Sequence, residues 1–368
     1  MPLLQEGLNI RGTYEVEKFL GEGAFAEVYR VRHQFLGRQA MKVFKRLNMT
    51  EREVLEALKE AILLNHLKHP NIVSVHDANV FDSAKGTCGY FTMEYVPGGS
   101  LDRFWRSFGS SLVPIETTVD IIRQVCRGLA MAHSSNPPII HRDIKPQNIL
   151  VGYENDGLRA RISDFGLAKQ VNPLTLLATA AGTLQFKPPE TFLKAKADSC
   201  AADVWAVGVT TYLLLTDQFP VSVDPDLGWS NKDAFDKAVT VPSVWNGAVD
   251  TALEKIVMRC LMTHPSYRYA NAKEVLDALD NWKTPVIQNV PKPKKGDSSE
   301  MSKSLLGAHS PVDPEEGHRL VQQAIKKAKL DGRLIEAADL MEEAFNKSPS
   351  LRPKYANQVR LWRCGISM

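Results

Sequence analysis

Alternation of apolar and polar positions predicts short strands over residues 31–33 and 40–44, because successive side chains of a strand face opposite ways. Residues 74–95 read as two further strands joined by a polar turn at Asp82, Ser83, Lys85 and Gly86. Between these pairs the period changes. Thr50 followed by Glu53 is a capping-box start, and Leu55, Leu58, Ile62 and Leu67 then recur at helical spacing. Pro97, Gly98 and Gly99 break the last strand and open a more helical stretch. There the run 204–215, apolar but for two threonines and a glycine, predicts a buried helix led by Asp203.

After residue 284 the texture shifts. Residues 285–314 collect Pro291, Pro293, Pro311 and Pro314 with Lys292, Lys294, Lys295 and several serines, a linker composition too polar to bury a core. Helical period returns from Glu315: Val321, Ala324, Ile325 and Ala328 make one stripe. Leu334, Ala337, Ala338, Met341, Ala344 and Phe345 make a second, split from the first by Gly332. A third helix is expected near Pro353, with Tyr355, Val359 and Trp362 on one face. Such short helices make a small core, so this tail is expected to dock on its own chain or on a partner.

The candidate chemistry sits in the middle of the chain. His141, Arg142, Asp143, Ile144, Lys145, Pro146, Gln147 and Asn148 run consecutively, and Asp164, Phe165 and Gly166 follow sixteen residues later. Phosphoryl transfer needs this inventory: a carboxylate to orient a hydroxyl and accept its proton, and oxygen ligands for a metal on the nucleotide. Asp143 is the expected base, and Asn148 and Asp164 the expected ligands of Mg2+, which prefers hard oxygen donors. Lys42 lies inside an apolar run, and burying an ammonium without a partner is expensive.

With these residues the chain resembles the eukaryotic-type (Hanks-type) serine/threonine protein kinases over roughly residues 14–284. The resemblance implies an α+β, two-lobed fold, a β-rich N-lobe (14–94) and a larger helical C-lobe (95–284), then a linker and a small all-α tail over 315–364. Leu20, Gly21, Glu22, Gly23, Ala24, Phe25 and Val28 are similar to the glycine-rich loop over ATP, with Ala26 where the third glycine is usual. Lys42 would grip the α- and β-phosphates and pair with Glu60; Ala40, Met93, Glu94, Val96 and Leu150 would line the adenine site. Lys145, two residues after the base, accompanies transfer to serine or threonine. Thr183, ahead of Pro188, Pro189 and Glu190, would bridge Asp143 and Lys145. Glu190 should pair with Arg268, and Asp203 should anchor the loop that carries Asp143. Autophosphorylation is expected at Thr175, Thr179 or both, ordering the loop through Arg142 and Lys169. Ala337, Met341, Ala344 and Pro349 resemble the second half of a tetratricopeptide repeat. Short loops look bacterial, although the receptor-type bacterial relatives carry a membrane helix.

Composition adds boundaries. The chain has 368 residues and a formal charge of +3, too balanced to favour nucleic acid as partner. Five cysteines without paired or metal-like spacing fit a reducing, cytoplasmic setting. The run 204–215 is too short to span a bilayer, and the first residues lack a basic region followed by an apolar one. Neither a membrane nor a secretory route is expected. Protein substrates are, because Thr183 and the Pro188–Glu190 segment would build a peptide platform that a small-molecule kinase lacks. The reading from another class is a catalytically weak, kinase-shaped scaffold acting through its helical tail.

Overall fold

The computed structural model describes residues 2–23, 25–48, 50–83, 86–109, 111–165, 184–193, 199–221, 234–235, 237–283 and 313–366; for 51, 57, 60, 61, 63–65, 193 and 329–331 it describes the backbone alone. The architecture is α+β, and the chain divides into two compact units, Met1–Val96 and Pro97–Met368.

The first unit is a six-stranded antiparallel sheet, in the order β1 (Asn9–Ile10), β2 (Tyr14–Glu22), β3 (Ala26–His33), β4 (Gly37–Leu47), β6 (Gly86–Glu94), β5 (Val75–Ser83). One face carries a core of Tyr14, Val16, Tyr29, Val31, Met41, Val43 and Tyr90. Both strands expected near residues 31 and 40 are longer than their alternation indicated, since polar side chains on an exposed face still belong to the ladder. Helix α1 (Glu51–His66) opens with the expected box: the Thr50 amide donates to Glu53 Oε2 at 2.8 Å, and the Glu53 amide donates to Thr50 Oγ1 at 3.4 Å. Its periodicity misled in part. Leu58 and Leu67 are buried, whereas Leu55 and Ile62 are about half exposed. A helix that meets its unit mainly through β5 and β6 covers a narrow stripe.

The second unit is mainly helical. Helix α2 (Leu101–Arg106), α3 (Ile115–His133), the hairpin β7 (Ile149–Glu154) and β8 (Gly157–Ile162), α4 (Pro189–Leu193), α5 (Cys200–Thr216), α6 (Thr251–Cys260) and α7 (Ala272–Asn281) form its body. Helix α5 is the apolar run 204–215, buried on all sides, as an all-round hydrophobic helix must be. Ser199 caps it by accepting from the Ala202 amide. Glu190 on α4 accepts from Nη1 and Nη2 of Arg268, each at 2.7 Å, and Arg268 also donates to the carbonyls of Ala201, Met262 and Thr263. The pair expected from sequence is thus a pin that fixes the segment before α4.

The tail adds α8 (Pro314–Asp331), α9 (Leu334–Lys347) and α10 (Arg352–Arg363). Gly332, at φ 62°, separates the first two, a conformation in which glycine carries no Cβ penalty. The stripes read from sequence are the core: Val321, Ala324, Ala328, Ala337, Ala338, Met341, Ala344, Phe345, Val359 and Trp362 are buried together. Tyr153 of β7 packs against them, and its amide donates to Glu342 at 3.3 Å. Arg352 stacks its guanidinium over Phe104, 4.5 Å from the ring centre, and donates to Ser107 Oγ. The tail is therefore seated on α2 and β7 of its own chain.

Candidate active site

The site builds outward from Asp203, at the first turn of α5 and 1% exposed. Its Oδ2 accepts the His141 amide at 2.7 Å and meets His133 Nε2 at 3.0 Å, while its Oδ1 accepts the Arg142 amide at 2.8 Å. An unpaired buried amide costs about 1–3 kcal/mol, so one carboxylate fixes the start of the loop. Arg142 and Asp164 both adopt left-handed backbone, at φ 70° and 61°. Each such residue costs on the order of 1–3 kcal/mol and persists only where its surroundings hold it.

His141 links the two motifs. Its Nδ1 accepts the Asp143 amide at 3.2 Å and its Nε2 donates to Ser163 O at 2.8 Å, a pattern that requires the neutral ring. Burial lowers its pKa, against the pull of the Asp203, Asp143 and Asp164 carboxylates, so it stays neutral. Phe165 packs edge-on to the ring with centroids 4.5 Å apart. Ser163 donates its amide and its hydroxyl to Asn148 O, at 2.9 and 3.1 Å. Asn148 donates Nδ2 to the carbonyl and to Oδ2 of Asp143, at 2.8 and 2.9 Å. Asp143, Asn148 and the backbone leading into Asp164 are thereby tied into one network.

The Asp143 carboxylate is loaded with cations. Lys145 Nζ lies 2.7 Å from Oδ2, and Lys187 Nζ lies 3.3 Å from Oδ1 and 2.7 Å from Arg142 O. Burial alone would raise its pKa; the ammonium groups of Lys145 and Lys187 outweigh that and hold it well below the usual carboxylate range. Lys187 was not anticipated from sequence. The available signal was a lone lysine between Phe186 and Pro188, the same kind of clue that marked Lys42.

The first unit holds the residues expected around a nucleotide. Register pairs Val28 with Lys42, Lys42 with Phe91, and Ala40 with Met93, so these side chains share one face of the sheet. Lys42 is 5% exposed, its Nζ 5.5 Å from the Phe91 ring centre. Gly23 donates its amide to Ala26 O across the β2–β3 turn. Among the described residues no atom lies within 4 Å of where a Cβ on Gly21 would stand, so backbone is open to approach there, beside Leu20, Glu22 and Phe25. Ala26, in place of a third glycine, is 4% exposed and registered with Phe44; its methyl belongs to the sheet. The Glu94 amide donates to Ser74 O at 2.9 Å, Val96 ends the unit, and Leu150 lies on β7 of the second unit. Ala24, Thr175, Thr179 and Thr183 lie outside the described residues, as does the side chain of Glu60.

Comparison with known proteins agrees with this geometry. The family model described as Protein kinase domain matches residues 14–279. A protein of Clostridium acetobutylicum named a probable serine/threonine-protein kinase is 32% identical over 77% of this chain and 42% of its own length. The serine/threonine-protein kinase PknB of Mycobacterium leprae is 30% identical over 73% of this chain and 42% of its own length. The chain thus spans about two fifths of the curated relatives it matches. The crystal structure of the Mycobacterium tuberculosis PknI kinase domain superposes with a TM-score of 0.55 at 26% identity, covering 75% of this chain and 98% of that one.

Proposed function

From a chain that belongs to the protein kinase family, we propose the transfer of the γ-phosphoryl group of ATP to serine or threonine hydroxyls of proteins. The observation that carries this reading is the Asp143 carboxylate, held by two ammonium groups and the Asn148 amide. Asp143 orients the acceptor hydroxyl and takes its proton. Lys145 stabilises charge on the migrating phosphoryl group. The Asn148 amide oxygen and the Asp164 carboxylate are hard donors that suit Mg2+, too few to hold it without phosphate and water oxygens. Bound magnesium supplies charge neutralisation on the nucleotide's phosphates. Gly21, Gly23 and Val28 cover the nucleotide, and Lys42, for which the family resemblance gives Glu60 as partner, grips its α- and β-phosphates.

Radiolabel transfer from ATP to a generic basic protein, with magnesium and with a chelator, tests the proposal. Magnesium-dependent label on serine or threonine is expected; label on no protein acceptor under either condition overturns it. Autophosphorylation at Thr175 or Thr179 belongs to the same reading, and phosphopeptide maps of the parent and an Asp143→Asn variant check it.

The tail enters this proposal as an intramolecular dock built like half of a tetratricopeptide unit. Its support is the seating of Glu342 and Arg352 on Tyr153, Phe104 and Ser107. Cleavage in the linker followed by size exclusion should leave the tail co-eluting with the body. Free cysteines at 88, 126, 200, 260 and 364 support a reducing, cytoplasmic location. Among the described residues no helix is long and apolar enough to cross a membrane.

A further inference from the structure

Lys187 stands where an acceptor has to arrive. Two donors already serve Oδ2 of Asp143, the Lys145 ammonium at 2.7 Å and the Asn148 amide at 2.9 Å. Oδ1 is engaged by Lys187 at 3.3 Å, a long contact beside the shorter one to Arg142 O at 2.7 Å. A hydroxyl approaching the base therefore meets Oδ1 next to an ammonium that already leans on it.

The lysine projects from fixed backbone. Its own amide closes a turn on Leu184 O at 3.1 Å. Phe186 beside it is 2% exposed and packs on Phe219, centroids 5.7 Å apart. Three residues on, Glu190 is pinned by Arg268. The Lys187 side chain is only 13% exposed, and an ammonium buried that far calls for an anion beside it. When a hydroxyl takes Oδ1, Lys187 keeps the neutral Arg142 carbonyl and loses much of its anionic partner. A negative group brought by the acceptor restores it. Geometry allows this: a hydroxyl about 3 Å from Oδ1 lies at most roughly 6 Å from Nζ, and adjacent residues of a peptide are only about 3.8 Å apart.

We infer that Lys187 is a specificity-determining residue that selects acceptors carrying an anionic group, a carboxylate or an existing phosphate, on the residue next to the phosphorylated hydroxyl. This rests on the kinase reading above.

The test uses the full chain and a set of peptides identical except for Asn, Asp or phosphoserine placed directly before or after one acceptor serine. The parent should favour Asp over Asn about tenfold in kcat/KM on one side, the scale of one charge-assisted hydrogen bond. A phosphoserine preference exceeding that for Asp identifies phosphate as the source, and the reverse identifies the carboxylate. Lys187→Gln should bring the Asp/Asn ratio near unity, and Lys187→Arg should keep most of it. The ratio is internal to each variant, so a lower overall rate does not obscure it. Should Lys187→Gln be too slow to assay, calorimetric binding of the same peptides with alanine as the acceptor reads the same ratio. Should it fail to fold, Lys187→Met is read in the same two ways. Transfer by the parent without any anionic preference, or a preference unchanged once the ammonium is removed, overturns the inference alone. Failure to phosphorylate any peptide overturns the kinase reading and this inference with it.

Discussion

Around Asp143 the backbone is held by polar atoms: Asp203 accepts two amides and meets His133, Ser163 donates twice to Asn148, and His141 bridges both motifs. Around Phe345 it is held by methyls and rings, with Ala324, Ala337, Met341 and Ala344 unexposed and Trp362 closing the stack. The first region stores two left-handed residues, Arg142 and Asp164; the second places its left-handed turn on a glycine. Strain can be held only where directional bonds over-determine the chain. Apolar packing tolerates small shifts and suits a tail that needs only to be seated. The regions therefore differ in what breaks them: loss of one partner orphans several polar groups in the loop, while in the apolar stack around Phe345 it opens one contact.

The largest effect expected is on rate. Asp143→Asn keeps the size of the side chain and removes its basicity, and should slow phosphoryl transfer by about two to four orders of magnitude, measured as initial label incorporation. A variant as fast as the parent would show that the network organises the loop for something other than proton acceptance. Next, Asp203→Ala leaves the His141 and Arg142 amides buried without their acceptor. Denaturant unfolding should show a loss of about 2–4 kcal/mol, far more than an exposed carboxylate contributes.

The pH behaviour of the tail sharpens the contrast. Burial, aided by Asp339, raises the Glu342 pKa from an ordinary 4.5 to about 7, despite Arg363 and the Tyr153 amide. The folded tail thus favours the protonated form. That contribution is complete below the unfolded value and is lost as pH rises through the folded one. The parent should accordingly lose about 1–3 kcal/mol of stability through this group between pH 4.5 and 7, and Glu342→Gln should flatten the dependence in thermal melts. Smallest is Arg352→Ala, which removes the stacking on Phe104. It should weaken the seating by about 1–2 kcal/mol, read as faster amide exchange in α10 with the body unchanged. Equal exchange in body and tail would mean that they open as one unit.

Much of the site was legible because chemistry forces residue type at fixed spacing. Asp143, Asn148 and Asp164 announced themselves as a carboxylate, an amide and a second carboxylate in order, and Glu190 found Arg268 across a long stretch of chain. Thr50 and Glu53 were legible as a local cap. The tail stripes were legible because three helices can bury only the faces their period provides. Leu55 and Ile62 were misread, since period marks an apolar face and cannot say how much of it a neighbour covers. Lys187 was invisible in its role: nothing local says that a lysine before two prolines turns toward a base more than forty residues upstream.

By itself, then, the sequence determined which groups are present, where some of the strands and helices run, and that a helical tail follows a segment of polar linker composition, because these depend on local spacing, propensity and composition. Tertiary structure alone decided which amides Asp203 accepts, that the tail sits on α2 and β7, and that a second ammonium reaches Asp143. Those facts depend on distances between residues far apart along the chain, which only the packed core fixes.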